Sequence, residues 1–328
     1  MDLGIDLGTA NTVVSDVRRG IVFDEPSIML LRQNGARRPQ IQALGRDAAD
    51  LVGRAPSRFA PVRPLHDGVV TDLETARLYL KAVLARAGRR AWTPVRAVIG
   101  VPADSTTLET RALLEAAQDA NIRPVTALDD SVAGAVGCGV DPLERRVHMV
   151  VDVGGGTAEA VAFCFGGVLA HRISKVGGDE MTVAVARYLR EQHQMHVSEL
   201  EAERVKVSSA DHDNGSLVVH GRDGGSGRAR LVTVQAAEIG VAVRPVVDEV
   251  VRALTACLDD LPPQGLSDVL AEGVLVFGGA SLVHGFTEQL ETELGLPVKL
   301  AEEPMTCVAD GAARALRNRP LLRAYGRG

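Results

Sequence analysis

The stretch MVVDVGGGTAEAVAF, residues 149–163, runs an apolar strand into an aspartate, three glycines and a threonine, and then begins another apolar strand at once. Glycine has no Cβ, so three in a row let main-chain N–H groups turn inward and crowd around an anion, which bulkier residues would block. The stretch therefore reads as a phosphate cradle. Near the start of the sequence GIDLGTANTVV, residues 4–14, repeats its order of apolar strand, Asp, Gly-rich turn with Thr, and apolar strand. Asp6 pairs with Asp152 and Gly8 with Gly154 in this internal repeat. Each copy reads as a β-hairpin with glycine at the tight turn and β-branched residues in its flanks. Two similar halves, each presenting one hairpin, could close on a phosphate chain from both sides. A third glycine turn, VLVFGGASLVHGF at 274–286, has strand, turn, helix logic. Its backbone could approach a flat base, or a phosphate at the N–H groups of a helix expected to start near Ser281. One glycine turn is weak evidence, but three, two of them tandem copies carrying an acid, are a strong signal.

Composition bounds the rest. A chain of 328 residues with 46% hydrophobic content can bury a substantial core and suggests roughly two domains. Net charge is −6, and lysine occurs only at Lys81, Lys175, Lys206 and Lys299, which gives no general reason to expect nucleic-acid binding. Cys138, Cys164, Cys257 and Cys307 are far apart in sequence and read as reduced core residues of a cytoplasmic protein, not as a disulfide framework or metal site. MDLGIDLGT has no basic n-region or long apolar h-region, and no apolar run approaches the roughly 20 residues of a membrane span. Secretion and membrane spanning are therefore not expected. His193 and His196 have metal-like spacing without a further ligand nearby, and a solvated helix end is the reading preferred for them.

Helical signals alternate with the strands. Thr71 with Glu74, Thr106 with Glu109 and Ser198 with Glu201 have capping-box spacing, the first ahead of an apolar run from Leu73 to Leu84 that Gly88 stops. VRAVIGVPA at 95–103 reads as a buried strand. Residues 236–260, 281–294 and 307–317 carry helical patterns, with Pro245 expected to bend the first. Strands alternating with helices imply α/β layers. Residues 30–66, rich in Arg, Gln and Pro, and residues 210–234, two short strands around GRDGGSG, break the rhythm and look like small inserted subdomains.

In this order, GIDLGTANT, FDEPS at 23–27, RPLHDGV at 63–69, VIGVPA at 98–103, VVDVGGGTAE at 150–159, KVGGDEM at 175–181, AERVK at 202–206 and EEPMTCVADGAARAL at 302–316 resemble the actin-like ATPase superfamily. Within it the chain is similar to the bacterial actin MreB and MreB-like (Mbl) family, because RPLHDGV, KVGGDEM and AERVK take this form in that branch and not in sugar kinases or seventy-kilodalton heat-shock chaperones. The resemblance covers nearly the whole chain. It implies an α/β, actin-like (ribonuclease H-like, duplicated) ATPase fold, with two α/β halves that each carry a small inserted subdomain. The implied division is residues 1–29, 67–138 and 304–328 for subdomain IA, 30–66 for IB, 139–178 and 236–303 for IIA, and 179–235 for IIB.

The resemblance also implies roles, with ATP and Mg²⁺ in the cleft between the halves. Gly8, Thr9, Ala10 and Asn11 would hold the terminal phosphates, and Gly154, Gly155, Gly156 and Thr157 would form the opposing loop. Asp6 and Asp152 would hold Mg²⁺ through waters. Glu203 and Lys206, one helical turn apart, match the pair that reaches ribose and base, and Gly278, Gly279 and Ala280 match the adenosine turn. Thr157 would position the attacking water, and Asp130 would polarise it. The family usually reads Glu-Glu-Pro where this chain reads Asp129, Asp130 and Ser131, and an acid shorter by one methylene falls roughly 1 Å short, a misplacement that can cost about 100-fold. Slow hydrolysis is therefore expected. Ala158 and Ala280, where a threonine and a third glycine are common, are milder departures. The competing reading of Asp129 and Asp130 is a solvated turn before a helix, where acids meet the helix dipole.

Trp92, in AGRRAWTP beside Arg89 and Arg90, stands where relatives dip an apolar loop into the membrane. The sequence starts too close to its first strand for an N-terminal amphipathic helix, so Trp92 would act nearly alone or by avidity in a polymer, unless it only packs on the domain. The implied function is a head-to-tail polymer, cytoplasmic and peripheral to the inner membrane, that scaffolds cell-wall synthesis with wall-synthesis proteins as partners and no nucleic acid. Two rivals are a small-molecule kinase of the superfamily, for which no spare acid poised against a hydroxyl is found, and a nucleotide sensor that grips ATP without polymerising.

Overall fold

The two hairpins of the sequence organise two sheets of matching topology. The computed structural model describes residues 1–32, 39–66, 69–70, 72–90, 93–210 and 215–327. Its chain divides into two compact units, Met1–Arg145 with Phe165–Gly167 and Met305–Gly328, and Arg146–Cys164 with Val168–Pro304.

In the first unit β1 (Asp2–Leu7), β2 (Asn11–Asp16) and β3 (Gly20–Pro26) form an antiparallel meander. A small sheet follows, β4 (Met29–Arg32) flanked by β5 (Gln40–Leu44) and β6 (Phe59–Val62), with the single-turn helix α1 (Arg46–Ala49) against it. Ile28, Leu30 and Ala48 give this insert its own small core. The ribbon of β7 (Leu65–His66) and β8 (Val69–Val70) leads to α2 (Leu73–Arg86), β9 (Val95–Val101), α3 (Thr107–Asp119), β10 (Ile122–Asp129) and α4 (Asp130–Gly137). Strands β9 and β10 add in parallel beside β1, completing the order β10-β9-β1-β2-β3. A parallel strand is covered on both faces, which is why β9 reads as an unbroken apolar run and buries all its residues but Arg96.

The second unit repeats the plan. Strands β11 (His148–Val153) and β12 (Ala158–Cys164) form the hairpin, followed by β13 (Gly167–Ser174), α5 (Gly178–His193), β14 (Met195–His196), α6 (Glu199–Ala210), β15 (Ser216–Asp223) and β16 (Ala229–Gln235). Then come α7 (Ala236–Asp259), α8 (Pro263–Glu272), β17 (Val274–Phe277), α9 (Phe286–Leu294) and β18 (Val298–Leu300). The sheet order is β13-β12-β11-β17-β18, with β17 and β18 parallel to β11. Strands β14, β15 and β16 make a separate three-stranded sheet, so the second insert holds strands of eight and seven residues, longer than its sequence suggests. The chain then returns to the first unit through α10 (Cys307–Ala315) and α11 (Arg319–Tyr325).

Helix signals resolve case by case. Helix α3 starts with the full capping box of Thr106 and Glu109. Helix α2 is instead capped by Asp72, whose carboxylate accepts from the Thr75 amide at 2.7 Å, and Thr71 lies outside the described residues. At α6 the hydroxyl of Ser198 accepts from the Glu201 amide at 3.2 Å, but the Glu201 carboxylate turns to Arg204 and His220, so the box is half made. The helix expected from Ser281 is displaced: Gly279–Leu282 form a 3₁₀ turn, and α9 begins only after Gly285, whose φ of +76° breaks the helical path. Pro245 is accommodated inside α7, whose residues Ile239, Val243, Val246, Val247, Val250 and Leu254 lay a continuous stripe into the second core. The first core gathers Leu3, Ile5, Tyr79, Leu80, Val83 and Ile99, all fully buried.

Candidate functional site

Each unit carries one set of the site residues, and each set is held from behind by polar groups. In the first unit the turn Gly8–Ala10 joins β1 to β2. The Ser27 hydroxyl donates to the Gly8 carbonyl at 2.6 Å, the Ser27 amide to the Ala10 carbonyl at 2.8 Å, and Arg63 Nη1 to the Thr9 carbonyl at 3.3 Å. Behind them Tyr79 donates to Thr12 Oγ1 at 2.9 Å, and Thr12 Oγ1 lies 2.8 Å from Ser27 Oγ. A buried, connected network of this kind fixes a turn in one conformation. With the three carbonyls engaged, the amide side of the turn is the side left for an anion.

Asp6, one residue before the end of β1, shares a row across the sheet with Val13 and Asp24. Burial first, and the charge of Asp24 second, push its carboxyl up to about 7. Burial also raises Asp24, opposed by Arg46 and reinforced by Glu25. Two acids whose charged forms are disfavoured this way make a place that a hard cation would neutralise, so the chemistry at Asp6 fits contact with Mg²⁺ through waters.

Asp129 and Asp130 are not a solvated turn. Asp129 is buried and ion-paired to Arg327 at 2.7 Å, while Arg327 also donates to the Ala103 carbonyl at 3.0 Å and pairs its backbone with Ala127. Asp129 therefore anchors the last residues to β10. Asp130 opens α4, and its carboxylate sits over the bare Cα of Gly100, where a Cβ would come within 2.0 Å of Oδ1. Only glycine at 100 leaves that seat open.

In the second unit the turn 154–157 is closed by the Gly154 amide on the Thr157 carbonyl at 2.9 Å. The first amides of α5 grip it: Gly178 donates to the Gly154 carbonyl at 2.9 Å and Asp179 to the Gly155 carbonyl at 2.8 Å. The Lys206 ammonium ties α6 to the same point, donating to the Gly178 carbonyl at 2.7 Å and Thr182 Oγ1 at 3.0 Å and pairing with Glu203 at 2.7 Å. Its three protons thus have three acceptors, and its side chain is 7% exposed against 45% for Glu203. Thr182 donates to Glu203 as well. Gly278, at φ +89°, donates to the Pro304 carbonyl at 2.9 Å and accepts from Ser281 Oγ at 2.6 Å. A Cβ on Gly278 would stand 2.5 Å from Asp152 Oδ1, and one on Gly178 would stand 3.6 Å from both the Gly154 carbonyl and Ala280 Cβ. Asp152, Gly154, Lys206, Gly278 and Ala280 therefore converge within this unit.

Several supporting residues escape the sequence reading. Asp24 and Ser27 lie inside the FDEPS motif, Thr12 closes GIDLGTANT, Arg63 opens RPLHDGV and Thr182 directly follows KVGGDEM, so a local signal exists for them; Tyr79 has none. Glu159 stands opposite Asp152 across the hairpin, buried and 2.8 Å from His171 Nε2. His193, the last residue of α5, is partly exposed and bonded to Glu238 at 3.0 Å, which also accepts from Tyr188, and His196 is exposed. Arg90 is exposed just after α2, and Trp92 lies outside the described residues. Among the described residues no helix is long and apolar enough to cross a membrane.

The sequence model of the MreB/Mbl protein family matches residues 1–323. The cell shape-determining protein MreB of Escherichia coli (strain K12) is 35% identical over 322 residues, covering 96% of this chain and 93% of that protein. The crystal structure of MreB5 of Spiroplasma citri bound to ADP matches with a TM-score of 0.89 at 26% identity, over 98% of this chain and 97% of that one. A MamK double helical filament matches with a TM-score of 0.79 at 20% identity, over 96% and 98%, a likeness of fold. The fold is thus that of the actin-like ATPases.

Proposed function

The chain belongs to the MreB/Mbl family, and from that premise we propose that it is an ATP-binding bacterial actin homologue. Its head-to-tail filaments lie under the inner membrane, scaffold cell-wall synthesis and govern cell shape or wall remodelling. The observation that carries the nucleotide part is the duplicated hairpin, with an acid at Asp6 and Asp152 and a glycine turn whose carbonyls are held from behind. Amides of Gly8–Asn11 and of Gly154–Thr157 bind the phosphates, and Gly278, Gly279 and Ala280 pack against adenosine. Glu203, the exposed member of its pair, meets the ribose, while Lys206 holds it in place from within. Asp6 and Asp152 would hold Mg²⁺ through waters, and the ion would supply charge neutralisation for the phosphates. Asp130 and Thr157 orient the attacking water, making the protein a slow ATPase.

The relative named as cell shape-determining supports the cellular role, and the nucleotide-bound neighbour supports the ligand class. Contacts between unlike faces that do not close generate filaments. Exposed Arg90 beside Trp92 forms the membrane contact, strengthened by repetition along a polymer. Flotation of the purified chain with anionic liposomes tests this part. Recovery in the lipid fraction that rises with Mg·ATP and falls in Trp92→Ala is expected. Lipid binding indifferent to both would remove the membrane from the proposal.

A further inference from the structure

Helix α4 ends and α10 begins at one place in the first unit, and each contributes a cysteine there. Cys138 caps α4 and Cys307 opens α10. A Cβ on Gly137 would lie 1.9 Å from the Cys307 carbonyl oxygen and 2.9 Å from its Cα, so the two backbones touch at this crossing. The Arg314 guanidinium donates to the carbonyls of Val136 and Gly137 at 3.2 and 2.9 Å, bringing a positive charge to the end of α4. Cys138 directly follows Gly137, so its thiol is placed beside Cys307 at this crossing. Cys138 is half-buried, while Cys307 is 3% exposed.

These surroundings differ from those of a core cysteine. The hydrogen bond with Cys307 holds the Cys138 thiol below its ordinary value against the opposing pull of burial, and Arg314 assists. At Cys257, by contrast, burial pushes the thiol up to about 11. A half-buried thiol held below its ordinary value, with a second thiol against it, has the composition of a dithiol that closes under oxidation.

We propose that Cys138 and Cys307 are a peroxide-responsive pair in which Cys138 reacts first and Cys307 resolves it. The Cys138 thiolate attacks one oxygen of a hydroperoxide, forming S–O as O–O breaks; with hydrogen peroxide, the leaving hydroxide takes a proton and departs as water. The Cys307 sulfur then attacks the Cys138 sulfenic sulfur, S–S forms as S–O breaks, and the second hydroxide leaves with the Cys307 proton as water. Each sulfur gives one electron and the peroxide takes both, so two thiols and one peroxide yield one disulfide and two waters. The cross-link ties α4 to α10 beside the seat of Asp130, since Val308, next to Cys307, and Asp130 both close over Gly100.

The test is peptide mapping of the intact chain after stepwise hydrogen peroxide, with thiols counted and dimedone added to trap sulfenic acid. The expected product is an internal Cys138–Cys307 disulfide, lighter by two hydrogens and restored by dithiothreitol. It should form at least about tenfold faster than any change at Cys164. Cys307→Ser should instead leave dimedone on Cys138, and Cys138→Ser should leave Cys307 unmodified. Sulfinic acid on Cys138 of the wild type without a disulfide, a bridge between molecules, or Cys164 reacting first would each overturn the proposal.

Discussion

Asp6 titrates against its surroundings, and the sign of its effect is fixed. Unfolded, its carboxyl loses a proton near 3.8, and folded near 7, so between those values the folded chain binds a proton that the unfolded chain has lost. Stability of the metal-free protein should therefore fall as pH rises from about 4 to about 7, and Asp6→Asn should flatten that slope in chemical denaturation across pH. A slope unchanged by the substitution would show that Asp6 ionises freely. At Gly278 the φ of +89° and the Val153 carbonyl 2.4 Å from any Cβ leave no room for a side chain. Gly278→Ala should cost at least about 1–3 kcal/mol in thermal or denaturant unfolding and weaken nucleotide binding with it. Asp130→Glu restores the missing methylene and should raise phosphate release from Mg·ATP, by as much as about 100-fold. Equal or lower turnover would remove side-chain length as the cause of slow hydrolysis. The glycines and acids were legible because each does a job that few residue types can do. Ser27 and Tyr79 were less so, since a hydroxyl that braces a turn from below reads like any other hydroxyl in the sequence.

Elements were legible where their signals are local. The capping box of α3 and the apolar run of β9 are written in consecutive residues, and both stand as read. The start of α9 was not, because GGASLVHGF offers glycines on both sides, and both Gly278, at φ +89°, and Gly285, at φ +76°, interrupt the path, so the helix starts only after the second. Helices α8 and α11, both opened by proline near their first residue, carry patterns too short to separate from loops. The role of Lys206 also emerges only at this scale: one ammonium joins α6 to the first turn of α5 and, through Gly178, to the turn at 154–157. Lys206→Met should cost about 2 kcal/mol in urea unfolding because buried acceptors lose their donor. Glu203→Gln, at an exposed position, should cost under about 1 kcal/mol. If the two substitutions cost the same, Lys206 is not the internal clamp described here.

For the whole chain, the duplication was legible from the repeated order of apolar strand, Asp, Gly-rich turn and apolar strand around Asp6 and Asp152, and the matching strand orders bear it out. Contacts made by residues remote in sequence were not: the Asp129–Arg327 ion pair and the meeting of Cys138 with Cys307 depend on α10 and α11 returning to the first unit. The inserts read as interruptions because their strands build sheets of their own instead of extending the main ones. Membership of the MreB/Mbl family makes assembly the property to measure. The most direct measurement is ultracentrifugal pelleting of the purified chain with Mg²⁺ and ATP, a non-hydrolysable analogue, ADP, or no nucleotide. The account predicts polymer in the pellet with ATP and more with the analogue, and little without nucleotide. A chain that binds nucleotide to saturation yet stays in the supernatant in every case would contradict it, and would leave a nucleotide sensor built on an actin-like fold.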